Sequence, residues 1–347
     1  MRVAINGLGR IGRAAFKILM DDSDLELVAV NDLIAPDNLA YLIRYDTVYG
    51  RYHRRLSVEK DALVIDEKHR VKLFSERDPA KLPWSELGID LVFECTGALR
   101  TAEDLKKHIS AGAGFVILSS PPRSDEIGVV VHGVNRPDGT AQIISCASCT
   151  TNSITPLVEV MQRRVGVERA IMTTVHAYTS SQHLVDGASN AHRRGRAAAA
   201  NIVPTSTGAA RATARALPDM EDKFDGVAIR VPVAVGSIAD VVFVTSRPTT
   251  REEINEIFAE EAGSERYLDI LGVSHDPLVS SDIVGDSRAS VVDLDMTRVV
   301  DGTLVKVMSW YDNEWGFTHQ MVRVAKSVAM TQPATRLLHA PEARPAS

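Results

Sequence analysis

With 347 residues, 45% hydrophobic and 24% charged, the chain has room for two domains, each with its own core. A net charge of -6 argues against nucleic acid or an acidic membrane as the main partner. Three cysteines (Cys95, Cys146, Cys149) are too few for a secreted disulfide framework and form no paired C-x-x-C zinc pattern, so no metal is expected. No run approaches the roughly 18–20 apolar residues of a membrane span, and the N-terminus has no signal-peptide pattern, so a cytoplasmic protein is expected.

In chain order, residues 2–6 read as an apolar strand, broken at once by Gly7, Gly9 and Gly12. Residues 10–20 then carry a helical apolar stripe through Ile11, Ala15, Ile18 and Leu19. A second strand covers residues 26–31 and ends at Asp32. Strand, glycine turn, helix and strand open a doubly wound parallel sheet. Strands at 90–94, 114–119 and 142–146, with a helix around 102–111, continue the alternation. After Cys149 the pattern changes. A long helix at 150–165 precedes strands at 170–176, 226–232, 238–245, 290–294 and 304–310, many joined without room for a crossover helix, and a helix at 250–262. The expected architecture is α/β: a Rossmann domain over 1–148, then an α+β catalytic domain over 149–315 with a mixed or antiparallel sheet. A helix at about 316–330 returns to the first domain, and 331–347 forms a loose Pro- and Ala-rich tail.

Gly7-x-Gly9-x-x-Gly12 is a weak pattern alone and stronger between a strand and a helix, with an acidic residue about 20 residues on. The first glycine permits the turn, the second lets backbone approach a pyrophosphate, and the third lets helix and strand pack closely. Asp32 is placed to accept from ribose hydroxyls and to repel a 2′-phosphate. Where the strand at 142–146 gives way to the long helix, Ser148 reads as the N-cap, which sets Cys149 at the helix's positive end. Such a position, or a neighbouring imidazolium, lowers a thiol's pKa. The competing readings are a buried structural cysteine, which suits Cys95 and Cys146, and a redox pair of Cys146 with Cys149. His176, at a strand end, is either structural or the general base for that thiol.

The segments Ala147-Ser148-Cys149-Thr150-Thr151-Asn152 and His176-Ala177-Tyr178-Thr179 resemble those of phosphorylating glyceraldehyde-3-phosphate dehydrogenases. The likeness runs from Val3-Ala4-Ile5-Asn6-Gly7 through Pro204-Thr205-Ser206-Thr207-Gly208 and Arg230-Val231-Pro232 to Trp310-Tyr311-Asp312-Asn313-Glu314-Trp315. It implies NAD as cofactor, a homotetramer, two phosphate subsites and a thioester route, with Cys149 as nucleophile and His176 as base. For the cofactor it implies Gly7, Gly9, Arg10, Ile11, Gly12, Asp32, Arg77, Thr96, Gly97, Ser119 and Asn313. Thr179 and Arg230, with Ser181, would hold the substrate's phosphate. Ser148, Thr150, Thr207 and Gly208, with Arg194 close by, would hold inorganic phosphate.

The chain departs from the family pattern at Ser181 (commonly Thr), Ser153 (often Cys), Cys146 (commonly Asn) and Phe317 (usually Tyr). Gly187-Ala188-Ser189-Asn190 lacks a proline common in NAD-specific members and leans toward members that also use NADP. Two alternatives stand beside the triose phosphate enzyme: an erythrose-4-phosphate dehydrogenase of the same fold, and a non-catalytic redox-sensing homologue.

Overall fold

Short apolar strands alternating with helices build the first sheet, described within residues 1–136 and 139–331 of a computed structural model. The elements are β1 (Arg2–Asn6), α1 (Arg10–Leu19), β2 (Glu26–Asn31), α2 (Pro36–Arg44), a small hairpin of β3 (Tyr45–Asp46) and β4 (Gly50–Arg51), β5 (Leu56–Glu59), β6 (Ala62–Ile65), β7 (His69–Phe74), α3 (Trp84–Leu87), β8 (Leu91–Glu94), α4 (Ala102–Ser110), β9 (Phe115–Leu118), β10 (Gly128–Val129) and β11 (Ile143–Ser145). Their order across the sheet is β10-β11-β9-β8-β1-β2-β7-β6-β5. All pairs are parallel as far as β7, and β6 and β5 then add antiparallel. Val3, Ala4 and Ile5 are fully buried, as are Leu91, Val92 and Phe93, because a parallel strand covered on both faces must be apolar throughout. The chain leaves β1 toward β2 and later returns to its other side as β8. That reversal is the switch point at which such sheets bind ligands beyond the strands' carboxyl ends.

The second half contains α5 (Cys149–Arg164), β12 (Val167–Ala177), β13 (Val203–Ser206), α6 (Ala209–Ala216), β14 (Phe224–Val231), β15 (Ser237–Thr245), α7 (Arg251–Ala262), β16 (Leu271–Ser274), β17 (Ser290–Val300), β18 (Leu304–Tyr311) and α8 (Trp315–Thr331). The seven-stranded order is β13-β14-β12-β15-β18-β17-β16, parallel at β14/β12 and β17/β16 and otherwise antiparallel. The sheet is therefore mixed. Helices α5 and α7 pack a large apolar core against one face. The other face leaves Ile171, Val227, Val300 and Leu304 exposed. Helix α8 packs on α1 and adds Phe317, Met321, Val324 and Val328 to the first core.

The long strands exceed the expected spans: β12 begins at Val167, and β17 continues to Val300. Helix α2, the β5–β7 hairpins, β13, α6 and β16 were not anticipated. Thr331, assigned to the tail, closes α8, and the rest of that tail (332–347) lies outside the described residues. Among the described residues no helix is long and apolar enough to cross a membrane.

Candidate active site

Between β11 and α5 the backbone makes a tight corner. Ala147 adopts φ +57 although it is not glycine, a conformation that costs an L-residue about 1–2 kcal/mol. Surrounding bonds hold it there. Ala147 N donates to Ser145 Oγ at 2.9 Å, and Asn152 Nδ2 donates to the carbonyls of Cys146 and Ser148 at 2.8 and 2.9 Å. Ser148 caps the helix, its Oγ accepting from Thr151 N at 3.1 Å. Cys149 thus occupies the first position of a 16-residue helix, partly exposed and packed against both large cores.

Strand pairing supplies its partners. On the parallel pair β12/β14, His176 lies in register with Arg230, so both side chains leave the same face at the strands' carboxyl ends. His176 Nε2 comes 3.3 Å from Cys149 Sγ. On the other side of the ring, Nδ1 is 2.7 Å from Ala177 O and 2.6 Å from Arg230 Nη1. A guanidinium only donates and a carbonyl only accepts, so Nδ1 can satisfy one of these at a time. If Nδ1–H donates to Ala177 O, Nε2 keeps a lone pair for the thiol proton. If Nδ1 accepts from Arg230, the proton sits on Nε2.

Burial pushes the Cys149 thiol up, against the opposing pull of Arg230 and the first-turn N–H groups of α5. Burial also lowers His176 to about 3, with Arg230 and Arg194 adding to the effect. The lowering expected from the helix N-terminus meets a larger opposing effect, desolvation of the sulfur. Each shift measures the cost of an isolated charge. Passing the proton from Sγ to Nε2 instead keeps the site's net charge and sets opposite charges 3.3 Å apart. Their attraction is about 5 kcal/mol at an effective dielectric of 20.

The remaining residues fall into three groups. Arg230 and Arg194 have no carboxylate partner among the described residues, and Arg230 Nε is buried without any partner. Arg194 Nε is held by Thr205 Oγ1 at 2.9 Å. Two cations without counter-ions beside a nucleophile suit an anionic ligand. Thr179 and Ser181 hydroxyls pair at 2.8 Å just beyond β12. Thr207 Oγ1 accepts from Ala209 N, and Gly208 caps α6 with open space where a Cβ would project. One turn into α6, Ala212 joins Ala147 and Val129 in one small buried cluster. The Thr150 hydroxyl lies 3.0 Å from Tyr311 OH, which also meets Thr174 Oγ1 at 2.7 Å.

At the glycine turn, a Cβ on Gly7 (φ +92) would lie 2.6 Å from Thr96 N, and one on Gly12 would lie 1.9 Å from Gly7 O. A Cβ on Gly9 would meet no atom within 4 Å, and no side chain caps α1. The turn is thus packed at its base and open where a pyrophosphate would approach the N–H groups of Arg10 and Ile11. The Arg10 guanidinium is committed to Glu314 and Asp46, leaving only its backbone for a ligand. Asp32 accepts from Leu8 N at 2.5 Å and Ile34 N at 2.9 Å. Arg77 is exposed beyond β7, and Gly97 (φ +70) and Ser119 follow β8 and β9 on the same edge. Asn313 Oδ1 accepts from Gly236 N (3.2 Å) and Ser237 Oγ (3.0 Å), which leaves its NH₂ as the group able to donate outward. These features fit a dinucleotide. Cys95 and Cys146 are free thiols, pushed up by burial, Cys95 to about 12. Asn152 and Tyr311 were visible in the sequence only as members of motifs, and Ser237 not at all, since their roles depend on contacts across the fold.

Two family models match the chain: glyceraldehyde 3-phosphate dehydrogenase, NAD binding domain, over residues 1–102, and the C-terminal domain of the same family over residues 148–313. Among curated proteins, the glyceraldehyde-3-phosphate dehydrogenase of Kitasatospora aureofaciens is 46% identical over 333 residues, covering 94% of this chain and 99% of the relative. That of Zymomonas mobilis is 44% identical over 335 residues, covering 95% and 99%. That of Haloarcula vallismortis is 44% identical over 331 residues, covering 94% and 98%.

Proposed function

The chain belongs to the glyceraldehyde-3-phosphate dehydrogenase family, and we propose that it oxidises D-glyceraldehyde 3-phosphate to 1,3-bisphosphoglycerate through a Cys149 thioester, using NAD and inorganic phosphate. The observation that carries the mechanism is the 3.3 Å contact of Cys149 Sγ with His176 Nε2 at the N-terminus of α5, beside Arg230. We take residues 1–148 as the NAD-binding domain, closed by α8, and residues 149–315 as the catalytic domain.

Cys149 adds to the aldehyde carbon, and the proton taken from its thiol passes by way of His176 to the new hydroxyl, giving a thiohemiacetal. Arg230 and Thr179, with Ser181, clamp the substrate's phosphate. A phosphate that draws Arg230 away from Nδ1 leaves Nδ1–H donating to Ala177 O. The Nε2 lone pair then faces the reacting hydroxyl, so substrate binding selects the basic tautomer. NAD, when bound, would take the hydride from the thiohemiacetal carbon, while His176 Nε2 accepts the hydroxyl proton, so that a thioester is left on Cys149. Gly7, Gly9, Gly12 and the N–H groups of Arg10 and Ile11 hold its pyrophosphate. Asp32 and Arg77 hold the adenosine end, and Thr96, Gly97, Ser119 and Asn313 the nicotinamide side. Inorganic phosphate, held by Ser148, Thr207, Gly208 and Arg194, attacks the thioester, and the Cys149 thiolate leaves.

Phosphate-dependent NADH production, measured in parallel with glyceraldehyde 3-phosphate and erythrose 4-phosphate, tests the reading. A higher kcat/KM for the triose is expected, and a higher value for the tetrose would overturn it. Arg230→Leu should lower kcat/KM for glyceraldehyde 3-phosphate by roughly 10²–10³, the loss of two charge-assisted bonds. Unphosphorylated glyceraldehyde should be far less affected, and equal losses on both would mark Arg230 as a folding residue.

The exposed apolar face of the seven-stranded sheet supports a homotetramer, because Ile171, Val227, Val300 and Leu304 would otherwise remain in water. Sedimentation equilibrium should give a mass near four chains, and a monomer would refute this.

A further inference from the structure

We infer that Glu94 is a positioning residue for the dinucleotide, its buried carboxylate locking the 95–97 turn and the ends of four strands into the shape that receives the cofactor. This rests on NAD being the cofactor.

Glu94 ends β8 and is fully buried, and among the described residues no Lys or Arg pairs with it. Oε1 accepts from Thr96 N at 2.8 Å and from the Thr96 hydroxyl. Oε2 accepts from Asn6 Nδ2 at 2.6 Å and meets His108 Nε2 at 3.1 Å. The state of His108 follows from its far side, where Trp84 Nε1 lies 3.0 Å from Nδ1. An indole nitrogen only donates, so Nδ1 is the acceptor and the ring's proton sits on Nε2, pointing at Glu94. Nε2 is therefore the donor in the contact with Glu94 Oε2. Four polar groups thus converge on the two oxygens of Glu94.

The chain of bonds continues sideways. Asn6 Oδ1 accepts from Asn31 Nδ2 at 2.7 Å. Asn31 in turn donates to Glu76 O and accepts from Glu76 N, both at 2.8 Å. Residues at or just beyond the carboxyl ends of β8, β1, β2 and β7, four neighbours in the sheet, are thereby tied into one network. Each anchored residue is, or directly precedes, a proposed cofactor contact: Thr96 itself, Asn6 before Gly7, Asn31 before Asp32, Glu76 before Arg77. The turn that Glu94 grips is also the one packed against Gly7, where a Cβ would meet Thr96 N at 2.6 Å. A network serving only stability has no need to end at these four positions. One whose carboxylate fixes the cofactor edge does, much as outer partners fix the ligands of a metal.

Glu94→Gln keeps the shape but must present an NH₂ either to Thr96 or to Asn6 and His108, setting donor against donor. The expected result is a roughly 10–100-fold rise in the Kd for NAD by equilibrium titration, the usual effect of buried donors left unpaired. The KM for NAD should rise similarly, while kcat at saturating NAD stays within about threefold of wild type. Alkylation of Cys149 without cofactor should keep its wild-type rate, showing that the catalytic half is intact. Asn6→Asp added to Glu94→Gln reverses the polarity of one bond and should recover part of the NAD affinity. Thr96→Val removes a single donor from the turn and should weaken NAD binding in the same direction by a smaller factor. Unchanged NAD affinity in Glu94→Gln, or loss of alkylation and thermal stability in step with NAD binding in both Glu94→Gln and Thr96→Val, overturns the assignment. Failure of the wild type to bind NAD would instead overturn the cofactor reading.

Discussion

Cys149→Ser is expected to lower turnover by roughly 10⁴–10⁶, the scale on which nucleophile replacements act in enzymes with a covalent intermediate. The corner at Ala147, the cap at Ser148 and the bonds from Asn152 place atom γ of residue 149 whichever element it is, so the serine oxygen should stand close to where the sulfur stood. Two properties are lost. A serine hydroxyl loses its proton far less readily than a thiol, so the proton transfer to His176 that generates the nucleophile becomes strongly unfavourable. An oxygen ester also lacks the thioester's reactivity toward phosphate, so the second half-reaction slows as well. NAD binding should persist, because the glycine turn, Asp32 and the Glu94 network belong to the first sheet and make none of their bonds through Sγ. Steady-state NADH production and NAD titration on the same preparation separate the two effects. Turnover near the wild-type rate would remove the thioester from the mechanism.

Much of this was legible in the sequence, for physical reasons that can be named. Strands β1 and β8 announce themselves because burial on both faces leaves no position for a polar residue until Asn6 and Glu94, where the strand meets the cleft. Cys149 and His176 are legible from local context, one after an N-cap and one at a strand end. What stayed hidden depends on contacts or exceptions. The β6–β7 hairpin turns through Asp66 and Glu67 at φ 52 and 60, a conformation usually given to glycine or asparagine, so no turn signal marks it. Strand β13 carries Pro204, which counts against a strand except at an edge, the place it occupies. Helix α6 buries mainly alanines, leaving no stripe of large residues to read. The contact of Arg230 with His176 spans 54 residues and exists only because β12 and β14 pair in parallel with those two residues opposite each other. Glu94 and His108 read as an ordinary strand end and an ordinary helix face until Asn6 and Trp84 are brought to them.

His176→Asn tests the central pair from the other side. Its kcat should fall by roughly 10²–10⁴, the usual contribution of a positioned base. At neutral pH the imidazole, lowered to about 3 by burial and then by Arg230 and Arg194, is unprotonated at rest and ready to accept a proton. Its removal leaves the thiol in a buried site that already pushes its pKa up, with no neighbouring group to take the proton and stand as counter-cation. The helix N-terminus and Arg230 remain, so some thiolate should still form at high pH. The alkylation rate of Cys149, followed against pH with a neutral reagent, should therefore rise at higher pH in the variant than in the wild type. An asparagine amide can donate to a carbonyl oxygen but cannot carry a proton away from the hydroxyl, so the loss should lie mainly in kcat, with KM for the aldehyde little changed. If the alkylation profile of the variant overlays that of the wild type, His176 and Cys149 do not share a proton, and the 3.3 Å contact is packing alone.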